Sequence, residues 1–159
     1  MKEKGSTVIE LVTVMGIFSI LFGFIAVNIF SAQEKVSIQN SLTTLAADVK
    51  QQQIKAMSLN TNGGLTAKDQ GIYFSQNSYT LYSGSSYTQG ESSNFTVLLS
   101  NNVVFSSILL PNQTLIFTKR TGEVSGYNAN MHSVTLVNTQ SNETKTIQVN
   151  KLGVLDVLQ

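Results

Sequence analysis

The sequence contains no cysteine, a single proline and a single histidine among its 159 residues. The absence of cysteine excludes disulfide bonds, thiolate metal sites and catalysis by a cysteine nucleophile. Charged residues are also scarce, at 12% of the chain, and the formal net charge is only +1. Such a balance does not indicate a polyanionic partner, because electrostatic attraction to one needs an excess of basic residues.

The remaining chemistry is equally sparse. His132 lies in the loop-like stretch Asn130-Met131-His132-Ser133, where a lone histidine is expected to be exposed and inert. The carboxylates between Asp48 and Asp156 occur singly, without the pairing that acid–base catalysis uses. Gly63-Gly64 lacks the lysine and the spacing of a phosphate-binding loop. The sequence therefore predicts a protein that is not an enzyme and that needs no cofactor or metal.

The clearest positive feature is an apolar run from Leu11 to Phe30. Its length of about 20 residues suits a helix that crosses a bilayer. Lys2 and Lys4 precede the run, and the next basic residue is Lys35, so the positive-inside rule places the N-terminus in the cytoplasm. We expect a single-pass protein of the cytoplasmic (inner) membrane with its C-terminal part outside.

Glu10, at the start of this run, is explained neither by an ordinary cleaved signal peptide nor by a plain membrane anchor. A carboxylate at this depth costs about 2.5–3.5 kcal/mol and is therefore expected to have a function and a partner. Cleavage after Gly5 would create an ammonium group at Ser6, four residues before Glu10. Residues four apart share a helix face, so the carboxylate could pair with this amine in its own chain or in a neighbouring subunit.

The stretch Lys4-Gly5-Ser6-Thr7-Val8-Ile9-Glu10-Leu11, followed by an apolar helix, resembles the signal of type IV prepilins and type II secretion pseudopilins. The resemblance implies cleavage after Gly5 by a prepilin peptidase and methylation of the new N-terminus at Ser6. It also implies that Glu10 aligns each incoming subunit during assembly. Val27 stands where many members have a kinking proline, which favours a pseudopilin over a major pilin.

Cleavage after Gly5 would leave a neutral chain. It removes two of the ten basic and one of the nine acidic side chains, which leaves eight of each. Partners are then expected to be other pilin or pseudopilin subunits, contacted through the N-terminal helix, together with the prepilin peptidase and the membrane. Nucleic acid is not an expected partner.

Beyond the apolar run, residues 31–60 contain neither proline nor glycine, and their apolar residues repeat with the period of an α-helix. The predicted apolar stripe is Ile38, Leu42, Leu45, Val49 and Met57, and the predicted solvent face is Lys35, Gln39, Asp48, Lys50, Gln51 and Lys55. Asn60-Thr61-Asn62-Gly63-Gly64 is expected to end the helix. The stripe predicts that this half of the helix packs on the domain that follows.

Residues 61–159 read as short strands separated by glycine, asparagine and serine, which is typical of an antiparallel β unit. The predicted strands are Ile72–Ser75, Tyr79–Tyr82, Phe95–Leu99, Val103–Ile108, Leu115–Thr118, Ser133–Val137, Thr146–Val149 and Val154–Leu158. Gln140-Ser141-Asn142-Glu143 is predicted to turn the sixth strand back into the seventh. The expected fold is thus α+β and pilin-like, with a leader (1–5), a transmembrane helix (6–30), its amphipathic extension (31–60) and an extracytoplasmic β-rich domain packed on that extension (61–159).

Three segments of this domain are also similar to the GspH- and FimT-like minor pseudopilins and pilins. They are Gly71-Ile72-Tyr73-Phe74, Leu115-Ile116-Phe117 with Thr121-Gly122-Glu123-Val124, and Ile147-Gln148-Val149 with Leu152-Gly153-Val154. This similarity implies a minor subunit that initiates a filament or occupies its tip.

A binding module at a fibre tip, either an adhesin or a DNA-uptake pilin, is the alternative. Lys119-Arg120 is a possible DNA contact, although two adjacent cations more often decorate a turn. The tyrosines of residues 75–94, set among Ser, Gly, Asn and Gln, suit either a recognition loop or a mobile hairpin.

Overall fold

The computed structural model describes residues 7–58 and 67–158, except for the side chains of helix residues 24–35. One α-helix, α1 (Val8–Met57), precedes eight strands and a short 3-10 turn, Pro111–Gln113. The strands are β1 (Gln70–Ser75), β2 (Ser78–Ser83), β3 (Phe95–Leu98), β4 (Val103–Leu109), β5 (Thr114–Phe117), β6 (Ser133–Asn138), β7 (Thr144–Val149) and β8 (Leu155–Leu158). The predicted α+β class, the long N-terminal helix and all eight predicted strands are confirmed, with strand ends shifted by at most two residues.

The strands form two antiparallel sheets. The sequence pattern predicts an antiparallel β unit but does not indicate that its strands divide into two sheets. Sheet A has the order β3-β2-β1-β5, and sheet B has the order β4-β6-β7-β8. The chain changes sheet three times, from β3 to β4, from β4 to β5 and from β5 to β6. In the turn between β3 and β4, Asn102 adopts a positive φ of 64°, a left-handed conformation that asparagine tolerates better than most residues.

The predicted hairpin between β6 and β7 is confirmed, with Val137 opposite Thr144 in antiparallel register. Asn138 organises its turn, because its side-chain Oδ1 accepts hydrogen bonds from the backbone N–H groups of Gln140 at 2.9 Å and Ser141 at 3.3 Å. This local bonding is the ordinary means by which asparagine stabilises a tight turn.

One apolar core lies between α1 and both sheets. Ile38, Leu45 and Val49 of the helix are at most 2% exposed and pack with residues of both sheets. Phe74 of sheet A meets Phe105 of sheet B edge to face, with ring centroids 5.4 Å apart. Such aromatic contacts add to the free energy of apolar burial, so they join the two sheets under the helix.

The apolar stripe of α1 is confirmed from Ile38 to Val49, but its final member is wrong. Met57 is 42% exposed, whereas Gln52, Gln53 and Ala56 are buried. These three residues continue the three- and four-residue spacing from Val49, so the buried face includes two amides that a purely apolar pattern omits. The predicted stop at residues 60–64 lies outside the described residues.

Candidate functional site

The amino-terminal part of α1 exposes apolar side chains around its whole circumference. The large apolar residues from Val8 to Phe22 keep between 46% and 81% of their surface exposed. The interspersed hydroxyls are bonded within the helix: Thr13 Oγ1 donates to Ile9 O at 2.8 Å and Ser19 Oγ to Met15 O at 2.9 Å. A helix that is apolar on all sides is typical of one that is covered by lipid or by other protein.

Glu10 lies in the first turn of this apolar helix and is exposed. Its backbone N–H donates to Thr7 O at 3.0 Å, which places the carboxylate beside the helix N-terminus. The positive end of the helix dipole stabilises a negative charge there. Gly5 and Ser6, the predicted processing residues, lie outside the described residues, so the Ser6–Glu10 pair stays a prediction.

Across the residues that the structure describes, no helix combines the length and the apolar character needed to span a membrane. The predicted span runs to Phe30, and the side chains of residues 24–35 are not among those described.

The carboxyl-terminal half of α1 is fastened to the β domain by buried amides that the sequence reasoning missed. Gln53 Nε2 donates to Gly122 O at 3.0 Å and to Leu152 O at 2.7 Å, while Gln53 Oε1 accepts from Lys50 Nζ at 2.9 Å. Gln52 Nε2 donates to Gly71 O at 3.1 Å. The available signal was their position in the helical repeat, since both glutamines fall where the apolar stripe would continue.

Asp48 was assigned to the solvent face, yet it contacts the domain. Its Oδ2 accepts a hydrogen bond of 2.6 Å from the hydroxyl of Tyr79, a residue that is 1% exposed. Burial, followed by the hydrogen bond and the negative charge of Asp48, raises the pKa of Tyr79 well above its usual value of 10. Tyr79 therefore stays protonated and ties the helix to β2 throughout the physiological pH range.

The other residues singled out in the sequence lie apart from α1's exposed end. His132 is half-buried rather than exposed, with its ring centroid 6.0 Å from that of Tyr127 and its Nδ1 buried. Lys119 and Arg120 are exposed in a turn, where the backbone N–H of Lys119 donates to Asp69 Oδ1 at 2.8 Å. Within residues 7–58 and 67–158, no cluster of three or more His, Cys, Asp or Glu side chains could hold a metal ion.

No protein-family model, no curated protein and no solved structure matches this chain. The features of the chain that bear on its function are therefore the apolar helix and the β domain attached to it.

Proposed function

We propose that this protein is a minor pilin or pseudopilin, a structural subunit of a type II secretion pseudopilus or a type IV pilus. It is processed after Gly5 to begin at Ser6, and the apolar part of α1 holds it in the cytoplasmic membrane until assembly. In the fibre, the same helix surface contacts the helices of neighbouring subunits.

The observation that carries this proposal is that one uninterrupted helix joins two different surroundings. Its first turns expose apolar side chains on every side, whereas the segment from Ile38 to Ala56 packs its buried face on the two sheets. Each large apolar side chain contributes about 1.5–3 kcal/mol on full burial, so the exposed end is strongly disfavoured in water. A subunit that passes from a bilayer into a helical bundle keeps this surface covered at both stages.

Glu10 supplies the directional element that an apolar surface lacks. Apolar helix surfaces can pack on one another at several axial offsets, but a carboxylate in an apolar setting requires one specific partner. The new ammonium group at Ser6 of a neighbouring subunit has the complementary charge and, by the resemblance, the appropriate position. Glu10 thereby selects the axial offset at which subunits pack.

Intact-mass measurement of the chain, recovered from membranes of cells that contain a prepilin peptidase, tests the processing step. The expected mass is that of a chain beginning at Ser6 with one added methyl group. A terminus at Met1, or one near Ala32, would contradict the proposal.

The assembly step is tested by Glu10→Ala, with Glu91→Ala as a matched control because Glu91 is also an exposed carboxylate. Glu10→Ala should remain in the membrane fraction after an alkaline wash but disappear from sheared fibres or from crosslinked subunit ladders. Glu91→Ala should behave as the wild type. Normal assembly of Glu10→Ala would refute the assigned role.

The second candidate is a binding module at a fibre tip, and the observation that favours it is a cleft on sheet A that is lined by Tyr73, Tyr82 and Tyr87. Binding of DNA has less support, because Lys119 and Arg120 are the only two adjacent cations in the sequence and a nucleic-acid footprint needs several. DNA binding would become the favoured function if the folded protein were retained on immobilised DNA at low salt and a Lys119→Ala, Arg120→Ala double variant were not.

A further inference from the structure

The outer edges of the two sheets differ in how they are protected. An edge strand presents unpaired N–H and C=O groups, so proteins usually cover it, kink it with a bulge or place a charged residue on it. The outer strands are β3 and β5 in sheet A, and β4 and β8 in sheet B. Within the described part of the chain, three of these strands have such protection and β3 does not.

Each of the three protected edges uses its own device. The edge of β5 is covered by the loop that follows it, where the Ser125 backbone N–H donates to Ile116 O at 2.8 Å. The edge of β4 bonds to the β1–β2 turn, since the Phe105 N–H donates to Gln76 O at 2.8 Å. Strand β8 carries the exposed carboxylate of Asp156. A strand from another protein is therefore hindered at all three edges.

The backbone of β3 is open along its outer side. Its antiparallel register with β2 is unbroken. The N–H of Leu99, directly after the strand, donates towards β2, to Asn77 O at 3.1 Å. Because backbone groups alternate between the two sides of a strand, those of Thr96 and Leu98 point away from β2. No described residue supplies a backbone partner on that side.

The side chains of β3 also lack protection. Phe95 is 65% exposed and Leu98 is 78% exposed, and the strand contains neither a charged residue nor proline. Phe95 lies opposite the buried Leu81, so it is on the helix side of the sheet. Leu98 lies opposite Ser78, on the outer side. An uncharged strand that exposes apolar surface on both faces pairs readily with another chain.

A groove beside β3 adds a charge preference. Its volume is about 510 Å³, and Lys55 and Lys68 line it together with Phe95. Both lysines are exposed and form no salt bridge with described residues. Asp48 is the one carboxylate among the described lining residues, and it already accepts the hydrogen bond of the Tyr79 hydroxyl. The groove is therefore positive overall and favours an acidic group on a strand that adds to β3.

We propose that the outer edge of β3 binds an extended segment of a partner protein, which adds to sheet A as a fifth strand. The segment is apolar at alternate positions, so that it covers the exposed side chains of β3, and it carries an acidic residue that reaches Lys55 and Lys68. Backbone hydrogen bonds to Thr96 and Leu98 supply affinity, and the groove supplies specificity. A second copy of β3 fits less well, because that strand brings no carboxylate to the lysines. Pairing at this edge does not depend on whether the protein assembles into a fibre.

NMR titration of the full-length, nitrogen-15-labelled protein with a synthetic strand tests this pairing. The protein is kept in dodecylphosphocholine micelles, and the probe is the peptide acetyl-EVTVTVE-amide, whose terminal glutamates serve either strand direction. Amide shifts concentrated at residues 95–99 are the expected result. The same peptide N-methylated at its valines and threonines cannot donate backbone hydrogen bonds and should bind about tenfold more weakly. Absence of shifts at residues 95–99, or equal binding of the N-methylated peptide, would overturn the proposal.

A variant of the strand tests the edge from the side of the protein. Leu98→Pro removes an N–H that points away from β2, so it should weaken binding of the peptide about tenfold while the near-ultraviolet circular dichroism of the β domain is retained. Val157→Pro, at an exposed apolar residue of the edge strand β8, is the matched control and should bind as the wild type. Equal binding by the two variants would place the peptide elsewhere and refute the assignment to β3.

The charge preference is tested with acetyl-KVTVTVK-amide, which should bind about threefold more weakly than the glutamate peptide. A Lys55→Ala, Lys68→Ala double variant should lose this discrimination, and Lys151→Ala, at an exposed lysine outside the groove, should keep it. A preference for the lysine peptide would contradict the stated chemistry of the partner. Analytical ultracentrifugation without peptide should show a monomer, whereas a dimer that Leu98→Pro abolishes would assign the edge to a second copy and overturn the proposal.

Discussion

Replacing Gln53 by leucine should loosen α1 from the β domain while preserving side-chain size. Gln53 is 5% exposed, and its amide group donates to backbone carbonyls in two separate loops, at Gly122 and Leu152. Leucine has a comparable volume but no donor. The substitution therefore removes three hydrogen bonds, these two and the one that Gln53 Oε1 accepts from Lys50 Nζ at 2.9 Å, and it leaves the two carbonyl oxygens without this partner.

The expected loss of stability follows from these contacts. Each net hydrogen bond contributes about 1 kcal/mol, and a buried acceptor left unpaired costs about 1–3 kcal/mol, so we expect about 2–4 kcal/mol in all. Gln52→Leu is the matched control, because Gln52 is adjacent and equally buried but its Oε1 has no hydrogen-bond partner among the described atoms. Removing this unpaired oxygen offsets part of the loss of the hydrogen bonds that Gln52 Nε2 donates to Gly71 O at 3.1 Å and, more weakly, to Tyr82 O at 3.5 Å. We expect at most about 1 kcal/mol for this control.

Urea unfolding of the full-length protein in micelles, followed by the near-ultraviolet circular dichroism of the buried tyrosines, measures both variants. This signal reports packing of the β domain rather than the helical content that the micelle preserves. Thermal unfolding should agree, with about 4 °C lost for each kcal/mol in a domain of this size. Equal destabilisation by Gln53→Leu and Gln52→Leu, or a neutral Gln53→Leu, would refute the anchoring role of Gln53.

Three further outcomes are expected. Gly71→Ala should destabilise the domain by about 1–3 kcal/mol in urea unfolding, because its Cβ would displace the Tyr82 ring. The free energy of unfolding should fall as pH rises from about 10 through 12, because the pKa of Tyr82 is 10 in the unfolded chain and about 12 in the folded protein. Urea unfolding measured at a series of pH values should show a slope of about 1.4 kcal/mol per pH unit from this group. Phe18→Lys should reduce membrane retention by about 2.5–3.5 kcal/mol, measured by partitioning of the chain between vesicles and buffer.

Each of these three outcomes has a matched comparison. Gly126→Ala adds a Cβ into open space at a glycine with a φ of 62°, so it measures backbone strain alone, whereas Gly71→Ala measures the collision with the Tyr82 ring. Tyr82→Phe should make the alkaline slope shallower by about 1.4 kcal/mol per pH unit and leave the contribution of Tyr79, whose pKa is also raised; an unchanged slope would contradict the assignment to Tyr82. Lys in place of the exposed Leu152, in the β7–β8 loop, should leave membrane retention unaltered. Equal effects of Phe18→Lys and Leu152→Lys would remove the support for a membrane helix.

The local patterns were sufficient for the secondary structure. Eight strands were predicted because apolar and β-branched runs alternate with Gly, Asn and Ser turns, and these signals act over fewer than ten residues. The helix was predicted because Ile38, Leu42, Leu45 and Val49 repeat at its period, and all four are buried. The apolar run with Glu10 at its start was visible for the same reason, since composition along one segment requires no knowledge of its neighbours.

The contacts between segments could not be predicted in this way. The division into two sheets, the bonds of Gln53 to loops 69 and 99 residues away, and the Asp48–Tyr79 pair all join distant positions. Tyr82 shows the difference most clearly. The sequence predicts it at the end of a strand, within a stretch that suits a recognition loop or a mobile hairpin, but not that it is buried; it is 2% exposed because Gly71 of the paired strand leaves room for its ring.

The sequence by itself determined which segments are helical, extended or apolar, because those properties depend on the residues' own spacing and hydration. Only the tertiary structure decided which polar side chains are buried and which partners they receive. An amide or hydroxyl is as compatible with water as with a carbonyl elsewhere in the chain, and the choice depends on which backbone groups folding brings within about 3 Å of it.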